Sequence, residues 1–345
     1  MTPFVPAAVA LGAALACAGL IVVLRPLLVR YALARPNARS SHVTPTPQGG
    51  GIVVLAAALG VVALALGLGD VAPGFTAAFA WLAASAVALA VVGAVDDIRP
   101  LPALPRLLLQ FACVAAVVLI VGGSARILPE AVPLWLERVL AILAGVWFVN
   151  LVNFMDGLDW ITAAEMVPIT AFVGVLGLLG LVPAEAGLVA LALCGAFLGF
   201  APFNKPVARL FLGDVGSLPI GLLVAWMLYE IAAAGAFAAA LLLPLYYLAD
   251  ATITLVRRLL RGERVWEAHR SHFYQRATTN GFPVGAVVGH VFGLNVALAG
   301  LAALTLVWSG WVADITALVV GAGLVGWVLR RFSTDVRQAR GRPAR

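Results

Sequence analysis

The chain has 345 residues, of which 63% are hydrophobic and only 11% are charged. No water-soluble core needs that much apolar surface, and apolar runs of about 20 residues recur along the whole sequence. The composition excludes an ordinary soluble domain and predicts an all-α polytopic membrane protein, because only helices or closed barrels satisfy the backbone in lipid. Nucleic-acid-binding proteins are often basic, and the net charge of this chain is +6. We expect no nucleic-acid partner, because the basic residues follow a membrane topology instead.

About eleven membrane-spanning helices are predicted from the apolar runs. Their approximate bounds are 4–28, 50–68, 75–95, 106–123, 138–155, 160–180, 184–201, 215–234, 236–256, 284–307 and 312–330. We expect a single transmembrane catalytic domain over residues 1–330, followed by a basic cytoplasmic tail over residues 331–345.

The basic residues predict the orientation of the chain. When residues 31–49 are placed in the cytoplasm, all of the 22 Arg and Lys residues except Arg126 and Arg138 fall on that side. Because an excess of Arg and Lys marks cytoplasmic loops, the N-terminus is predicted outside and the C-terminus inside. Most acidic residues at the ends of spans lie on the same side, which predicts a cytoplasmic working face.

One polar stretch interrupts the apolar runs between residues 150 and 159. Ionisable groups at bilayer depth cost roughly 2.5 kcal/mol or more each, so they usually line a cavity and have a function. Asn150, Asn153 and Asp156 recur every three residues, which predicts a common helical face. Gly157 can end that helix and let Asp159 turn back toward the same point. This stretch is the centre of the predicted site.

Three other stretches at the same ends of spans carry candidate residues. The glycine triplet 49–51 enters a helix, where its N–H groups suit a phosphate or simply form a turn. Asp96 and Asp97 end a span, where the helix dipole and their mutual repulsion predict a compensating cation or proton. Asp214 has glycines on either side of it just before a span. It is either a helix N-cap or a metal ligand that a diphosphate can approach.

Cationic and imidazole side chains supply the opposite charge. Arg106 begins the fourth span, and the last inner loop holds His269, Arg270 and His272. Two histidines three residues apart beside an arginine indicate a phosphate-binding loop. A soft-metal site would need more His or Cys ligands.

Together these motifs resemble a known family. They follow one another in order on successive inner loops: Asp96-Asp97, Asn153-x-x-Asp156-Gly157-x-Asp159, Asn204 with Phe211 and Asp214, and His269 with His272. The set is similar to the polyprenyl-phosphate N-acetylhexosamine-1-phosphate transferases, the membrane type of glycosyltransferase family 4, over roughly residues 40–280. The span count is most similar to the O-antigen-initiating branch.

The resemblance implies a reaction in the bacterial inner membrane. The phosphate of undecaprenyl phosphate attacks the β-phosphorus of a UDP-linked amino sugar, and UMP leaves in a step that depends on Mg²⁺ or Mn²⁺. The implied positions are Asp96, Asp97 and Asp156 for catalysis, Asp214 and Asp156 for the metal, Asn153, Gly157, Asp159, Asn204 and Phe211 for substrates, and Arg106, His269, Arg270 and His272 for phosphates. Homodimers are common among members. Direct displacement and a covalent aspartyl intermediate both stay open.

Two departures from the family bear on the donor. The peptidoglycan translocase carries three consecutive histidines where this chain reads His269-Arg270-Ser271-His272, which argues against UDP-N-acetylmuramoyl-pentapeptide. Arg106 stands at a position that resembles a lysine of the family and keeps its charge. The histidine loop and the segment 40–42 (Ser-Ser-His) are most similar to members that use deoxy-amino sugars such as UDP-N-acetylfucosamine or quinovosamine.

Two other functions compete with the transferase. A CDP-alcohol phosphatidyltransferase also begins its motif with Asp-Gly, but it needs an arginine and two more aspartates soon afterwards. Residues 160–206 hold neither. A transporter would use membrane acids as an ion relay near the midplane of repeated halves. The acids of this chain gather at one face, without an internal repeat.

Overall fold

The computed structural model of the chain describes residues 4–31, 33–34, 45–68, 73–122, 126–265 and 269–336. Its elements, in chain order, are α1 (Phe4–Tyr31), β1 (Leu33–Ala34), β2 (Thr46–Pro47), α2 (Gly50–Gly67), α3 (Pro73–Ile98), α4 (Ala103–Ala116) with a π-helical turn (Val117–Val121), α5 (Leu134–Met155), α6 (Ile161–Leu178), α7 (Ala184–Phe200), α8 (Asp214–Ala233), α9 (Phe237–Leu242), α10 (Leu245–Leu260), α11 (Phe273–Thr279), α12 (Val284–Val307) and α13 (Trp311–Phe332). The prediction of an all-α polytopic membrane protein is confirmed.

The helices match most of the predicted spans in place and length. Within the described ranges, nine helices are long and apolar enough to cross a membrane, and α7 is a shorter apolar helix of 17 residues. The predicted span over 236–256 is divided in the structure into two helices, α9 and α10. Pro244 stands at the N-cap of α10, where its missing N–H group removes one hydrogen bond of a continuous helix. The total of eleven spans and the orientation stay predictions.

Helix α8 lies in the middle of the bundle and packs against α2, α3 and α5. Most of its side chains are buried, which explains why its sequence is apolar on every side rather than on one stripe. Helices α1 and α13 lie at the periphery. They expose large apolar side chains such as Leu15, at 65%, and Val319, at 64%, as expected of helices that face lipid.

The start of α8 is held by two close helix crossings. A Cβ atom at Gly51 of α2 would collide with the Cα atom of Gly216, and one at Gly93 of α3 would collide with the backbone of Asp214. Small residues at such crossings let helix backbones approach closely in membranes. Glycine at these positions therefore brings the ends of α2 and α3 against the first turn of α8.

A short ribbon joins α1 to α2. Strands β1 and β2 pair antiparallel, with Leu33 opposite Pro47 and Ala34 opposite Thr46. The segment 40–42, which entered the donor prediction, and residues 337–345 of the predicted tail lie outside the described residues. The division into domain 1–330 and tail 331–345 stays a prediction.

Candidate active site

Asp97 joins the end of α3 to the beginning of α8. Its carboxylate accepts hydrogen bonds from the backbone N–H groups of Asp214, at 3.1 Å, and Val215, at 3.2 Å. Gly213 is the N-cap of α8 and offers no side chain, so a carboxylate from another helix satisfies two of the first N–H groups. The positive end of the α8 dipole favours the charge of Asp97. Asp97 thus sets the position of Asp214.

Asp96 faces Arg106 at the beginning of α4. Arg106 Nη1 lies 2.5 Å from Asp96 Oδ2 and 4.0 Å from Asp214 Oδ2, and the backbone N–H of Leu101 donates to Asp96 Oδ1 at 2.6 Å. The carboxyl groups of Asp96 and Asp214 are also within hydrogen-bonding reach of each other. Two carboxyl groups in contact need a proton or a cation between them or beside them, and Arg106 supplies one positive charge.

Asn153 connects α5 to the same point. Its Nδ2 donates to Asp214 Oδ1 at 2.7 Å and to Ser217 Oγ at 2.9 Å. The helix that carries Asn153 ends at Met155, and Asp156 is its C-cap. The Asp156 carboxylate accepts from Thr162 Oγ1 of α6 at 2.5 Å. Asn153 therefore reaches Asp214, whereas Asp156 turns toward α6.

The surroundings of Asp156 disfavour its charged form. Burial raises the pKa of the Asp156 carboxyl to about 7, and the charges of Asp97 and Asp159 raise it further, while the bond from Thr162 lowers it. Gly157 follows directly, and a Cβ atom there would collide with the hydroxyl of Tyr274, which donates to Phe154 O at 3.0 Å. Gly157 is thus required for the contact between the end of α5 and α11.

Asp159 and Asn204 connect the turn after α5 to the segment between α7 and α8. Asp159 Oδ2 accepts from the N–H of Ala208 at 2.9 Å. Asn204 Oδ1 accepts from the N–H of Trp160 at 2.7 Å, and its Nδ2 donates to Leu210 O at 2.9 Å. Both side chains are buried. The structure therefore shows them shaping the loop, and their predicted contact with uracil stays a prediction.

Phe211 lies in the same segment, against the glycine triplet. Its N–H donates to Pro47 O at 2.9 Å, and its carbonyl accepts from Gly50 N at 2.8 Å. Gly51 N donates to Leu212 O at 2.9 Å. Because the N–H groups of Gly50 and Gly51 bond to protein carbonyls, they are not offered to a phosphate, which favours the alternative of a turn. Beside Asp214, Gly216 packs against Gly51 of α2, Gly213 takes a positive φ of 78° at the N-cap, and the N–H groups of Asp214 and Val215 are occupied by Asp97.

The histidine loop is anchored by Asp250 of α10. This fully buried carboxylate accepts from the N–H groups of Phe273, at 3.0 Å, and Tyr274, at 3.1 Å, at the beginning of α11. His272 Nδ1 lies 3.2 Å from Asp250 Oδ1, and because a carboxylate only accepts, this nitrogen carries the hydrogen. The ring of His269 stacks on His272 with centroids 4.8 Å apart.

The two histidines differ in their surroundings. Burial lowers the pKa of His269 to about 4, and the nearby His272 and Arg258 lower it further. This low pKa favours the neutral imidazole at pH 7, so a phosphate bound beside His269 would meet a hydrogen-bonding group rather than a cation. Ser271 Oγ lies 2.8 Å from His269 Nδ1. Arg270, between the histidines, is exposed.

A cavity of about 430 Å³ joins these elements. Five of the predicted residues lie in its wall: Arg106, Asn153, Asp214, His269 and His272. Asp96 and Asp97 contact this wall from behind, through Arg106 and the backbone of Asp214. The structure does not place Asp156, Gly157, Asp159, Asn204, Phe211 or Arg270 in this wall. The cavity thus brings one carboxylate together with cationic, amide and imidazole side chains.

Oxygen ligands for a metal are present, but they do not enclose one by themselves. Within the described part of the chain, no three His, Cys, Asp or Glu side chains surround a common point closely enough to hold a metal ion. Asp214 is still suited to Mg²⁺, because its carboxylate lies in the cavity wall beside Asp96 and Mg²⁺ is typically held by one or two carboxylates, water and phosphate. A metal shared by Asp214 and Asp156 stays a prediction.

Two further polar residues line the cavity, and although Asn150 belongs to the polar stretch singled out in the sequence, neither was assigned a substrate or catalytic role. Gln110 of α4 and Asn150 of α5 lie in the wall one turn beyond Arg106 and Asn153. Their spacing contained the signal, since residues four apart or three apart share a helical face. Asp250, which anchors His272, was also missed as a site residue, because nothing local links position 250 to position 272.

Fold and site define the protein as a polytopic all-α membrane protein with an acidic, arginine-containing cavity where several helices end. The family model for glycosyl transferase family 4 matches residues 78–232. A phospho-N-acetylmuramoyl-pentapeptide-transferase from Synechococcus sp. is 32% identical over 327 residues, which is 87% of this chain and 90% of the relative. The chain belongs to glycosyl transferase family 4, as its motifs predicted.

Other relatives are named for related reactions. A decaprenyl-phosphate N-acetylglucosaminephosphotransferase from Mycobacterium tuberculosis is 34% identical over 215 residues, 56% of this chain and 52% of the relative. A probable undecaprenyl-phosphate N-acetylglucosaminyl 1-phosphate transferase from Bacillus subtilis is 25% identical over 299 residues, 80% of each chain. The match with the mycobacterial relative thus spans about half of that protein's length. The O-antigen branch stays a prediction.

Proposed function

We propose that the protein transfers an N-acetylamino-sugar 1-phosphate from a UDP-linked donor to undecaprenyl phosphate and releases UMP. The observation that carries the proposal is the convergence of Arg106, Asn153, Asp214, His269 and His272 on one cavity. A site for phosphoryl transfer needs positioned donors and charge neutralisation more than covalent chemistry. The names of the relatives support a polyprenyl phosphate as the acceptor.

The chemistry is one displacement at phosphorus. An oxygen of the lipid phosphate forms a bond to the β-phosphorus of the donor, the bond from that phosphorus to the bridging oxygen breaks, and the oxygen leaves on UMP. Arg106 neutralises charge on the phosphates, and Asn153 holds the Asp214 carboxylate in place. One of Asp96 and Asp97 serves as the general base. Asp96 is the better placed, because it contacts both Arg106 and Asp214 in the cavity wall.

A divalent cation fits the oxygen-rich environment of Asp214. Magnesium, or manganese, would supply positive charge to the diphosphate, held by Asp214 and by Asp156 if that side chain turns from Thr162. The site is proposed to face the cytoplasm of a bacterial inner membrane, where UDP-sugars are present, and to serve O-antigen or a related envelope polysaccharide. A homodimer is compatible with this function but is not needed for it.

The donor is proposed to be a UDP-N-acetylamino sugar. The names of the mycobacterial and Bacillus relatives favour N-acetylglucosamine. The His-Arg-Ser-His pattern favours deoxy-amino sugars such as N-acetylfucosamine and N-acetylquinovosamine. A donor panel decides between them, because each donor yields the same UMP but a different lipid-linked sugar.

The test is UMP release by the purified protein given undecaprenyl phosphate, Mg²⁺ and each donor in turn. We expect UMP and lipid-linked sugar in equal amounts with at least one donor, and loss of both products on chelation of the metal. Asp214→Asn should lower the rate about 10²-fold or more, because it removes a charge that the site uses. Asp314→Asn, in the first turn of α13, is the matched control and should keep the rate. Absence of UMP with every donor would overturn the proposal.

A further inference from the structure

Two amide side chains meet in the cavity wall, and their hydrogen bonds fix how each is oriented. Asn150 Nδ2 donates to the carbonyl of Val146 at 2.8 Å and to Gln110 Oε1 at 2.6 Å. Since a carbonyl only accepts, the nitrogen of Asn150 must face Val146. Gln110 must then present its oxygen to Asn150. The opposite orientation of either amide would place two donors or two acceptors against each other.

This arrangement leaves one donor without a partner. Gln110 is fully buried, and its Nε2 has no hydrogen-bond partner among the described residues. A buried polar group that stays unpaired costs about 1–3 kcal/mol, so such groups are normally satisfied by protein, water or ligand. Asn150 has used its two N–H donors, and its Oδ1 stays available as an acceptor. Both residues border the cavity, and because Gln110 has no accessible surface, a ligand reaches its Nε2 only when neighbouring side chains move aside.

The N–H donor Nε2 of Gln110 and the acceptor Oδ1 of Asn150 lie on neighbouring side chains. A secondary amide offers the complementary set, a C=O acceptor and an N–H donor. A phosphate offers acceptors alone, so it would satisfy Gln110 but meet the oxygen of Asn150 with repulsion. Neither residue carries a charge, and the cation Arg106 lies one turn away. The pair is therefore suited to a neutral amide rather than to a phosphate.

The position of the pair matches the shape of the proposed donor. Gln110 follows Arg106 by four residues on α4, and Asn150 precedes Asn153 by three on α5, so the pair lies one helical turn from the phosphate-binding residues. In a 2-acetamido sugar 1-phosphate, the acetamido group is on the carbon next to the one that bears the phosphate. A sugar whose phosphate lies beside Arg106 and Asn153 can thus direct its acetamido group to the pair.

We propose that Gln110 and Asn150 recognise the acetamido group of the donor sugar, with Gln110 Nε2 donating to its carbonyl and Asn150 Oδ1 accepting from its N–H. The pair thereby selects N-acetylated amino sugars over sugars with a hydroxyl at the same carbon. This inference rests on the proposed function and identifies the acetamido group as the part of the donor sugar that the site recognises.

The test measures binding of three nucleotides to the purified protein by direct titration: UDP-N-acetylglucosamine, UDP-glucose and UDP. Wild-type protein should bind UDP-N-acetylglucosamine about tenfold more tightly than UDP-glucose, as expected for lost hydrogen bonds to a buried amide. Equal binding of the two sugars by wild-type protein would overturn the proposal without any variant.

Two substitutions remove the Nε2 hydrogen-bond donor of Gln110 in different ways. Gln110→Met keeps the length of the side chain, and Gln110→Glu keeps the oxygen that accepts from Asn150. Each should weaken UDP-N-acetylglucosamine binding about tenfold and leave UDP binding and the KM for undecaprenyl phosphate unchanged. Leu109→Met, on the exposed face of α4, is the control.

The outcomes separate this inference from the proposed function. Retained UDP binding shows that a variant is folded. A rise in the KM for undecaprenyl phosphate, with donor binding unchanged, would assign the pair to the acceptor and overturn the inference while the transferase activity stands. Absence of UMP from wild-type protein would overturn the proposed function, and the direct titration of the two sugars would still decide whether the pair reads the acetamido group.

Discussion

Single carboxylates in this protein hold elements together as well as lining the cavity. Asp97 is the clearest example, because its carboxylate binds the first N–H groups of α8 from the end of α3. A side chain that caps a neighbouring helix fixes the position of that helix's first residue, here Asp214. The effect of a substitution at Asp97 should therefore appear both in stability and in activity.

Asp97→Ala should lower the free energy of unfolding by about 1–2 kcal/mol, the usual cost of a lost helix cap, and should lower UMP release more strongly. Asp97→Asn retains one acceptor and should be less destabilised. The measurements are thermal unfolding in detergent and UMP release with the best donor. Asp314→Ala is the control. An Asp97→Ala protein as stable as wild type would show that the bonds to α8 contribute nothing to the fold.

Asp250 positions His272 without lining the cavity. It is fully buried and accepts from two backbone N–H groups of α11 and from the imidazole. Asp250→Ala should release the 269–274 segment, because these groups lose their common acceptor, and should lower kcat at least tenfold. Hydrogen exchange at Phe273 and Tyr274 measures the release. Glu263→Ala, at a partly exposed ion pair with Arg258, should leave that exchange slow. Slow exchange in Asp250→Ala would contradict the anchoring role.

At the scale of elements, the crossing of α2 and α8 fixes the position of the first turn of α8, which carries Asp214. Gly51 and Gly216 allow the two backbones to approach, and α3 approaches α8 at Gly93 in the same way. These crossings explain why Gly51, Gly93 and Gly216 carry no side chain. Helices in lipid associate through such packing, since lipid and side chains are equally apolar.

Gly51→Ala should separate α2 from α8, because a Cβ atom there has only backbone to displace. We expect a loss of about 1–3 kcal/mol in unfolding free energy and a lower rate of UMP release, since Asp214 moves with α8. Gly60→Ala lies in the same helix with nothing within 4 Å and should be neutral or slightly stabilising. Thermal unfolding of the two variants side by side makes the comparison. Equal melting temperatures would contradict a tight crossing.

At the scale of the whole molecule, the orientation predicted from basic residues can be tested with one side chain. Lys205 is the only lysine in the chain, and it is exposed between α7 and α8. A membrane-impermeant amine reagent should modify Lys205 in inverted membrane vesicles but not in intact cells, because positive loops lie inside. Peptide mapping by mass spectrometry separates this site from the N-terminal amine.

Ser309→Cys supplies the opposite marker, since residue 309 is exposed between α12 and α13. The introduced thiol should react with an impermeant reagent in intact cells. The native cysteines are buried or partly buried in helices, so they should contribute little labelling. Labelling of Lys205 from outside, or of the introduced thiol only from inside, would invert the topology and place the cavity on the opposite face.

The sequence by itself determined the class of protein, nearly all of the spans and the family. Apolar runs of this length can form only helices in lipid, and the acids stand out because charge is so costly there. The sequence also predicted part of the cavity. Five predicted residues lie in its wall: Arg106, Asn153, Asp214, His269 and His272.

Only the tertiary structure decided what each polar group does. Asp97 and Asp250 bind helix N–H groups, the glycine triplet bonds to the segment before α8, and the span from 236 to 256 is divided at Pro244. Gln110 and Asn150 meet across two helices. A polar group forms its hydrogen bond with whichever partner the packing brings within reach. When that partner is far away in the chain, the local sequence gives no sign of it. Sequence therefore indicates where polar chemistry is present, and packing decides which of those groups stay free for a ligand.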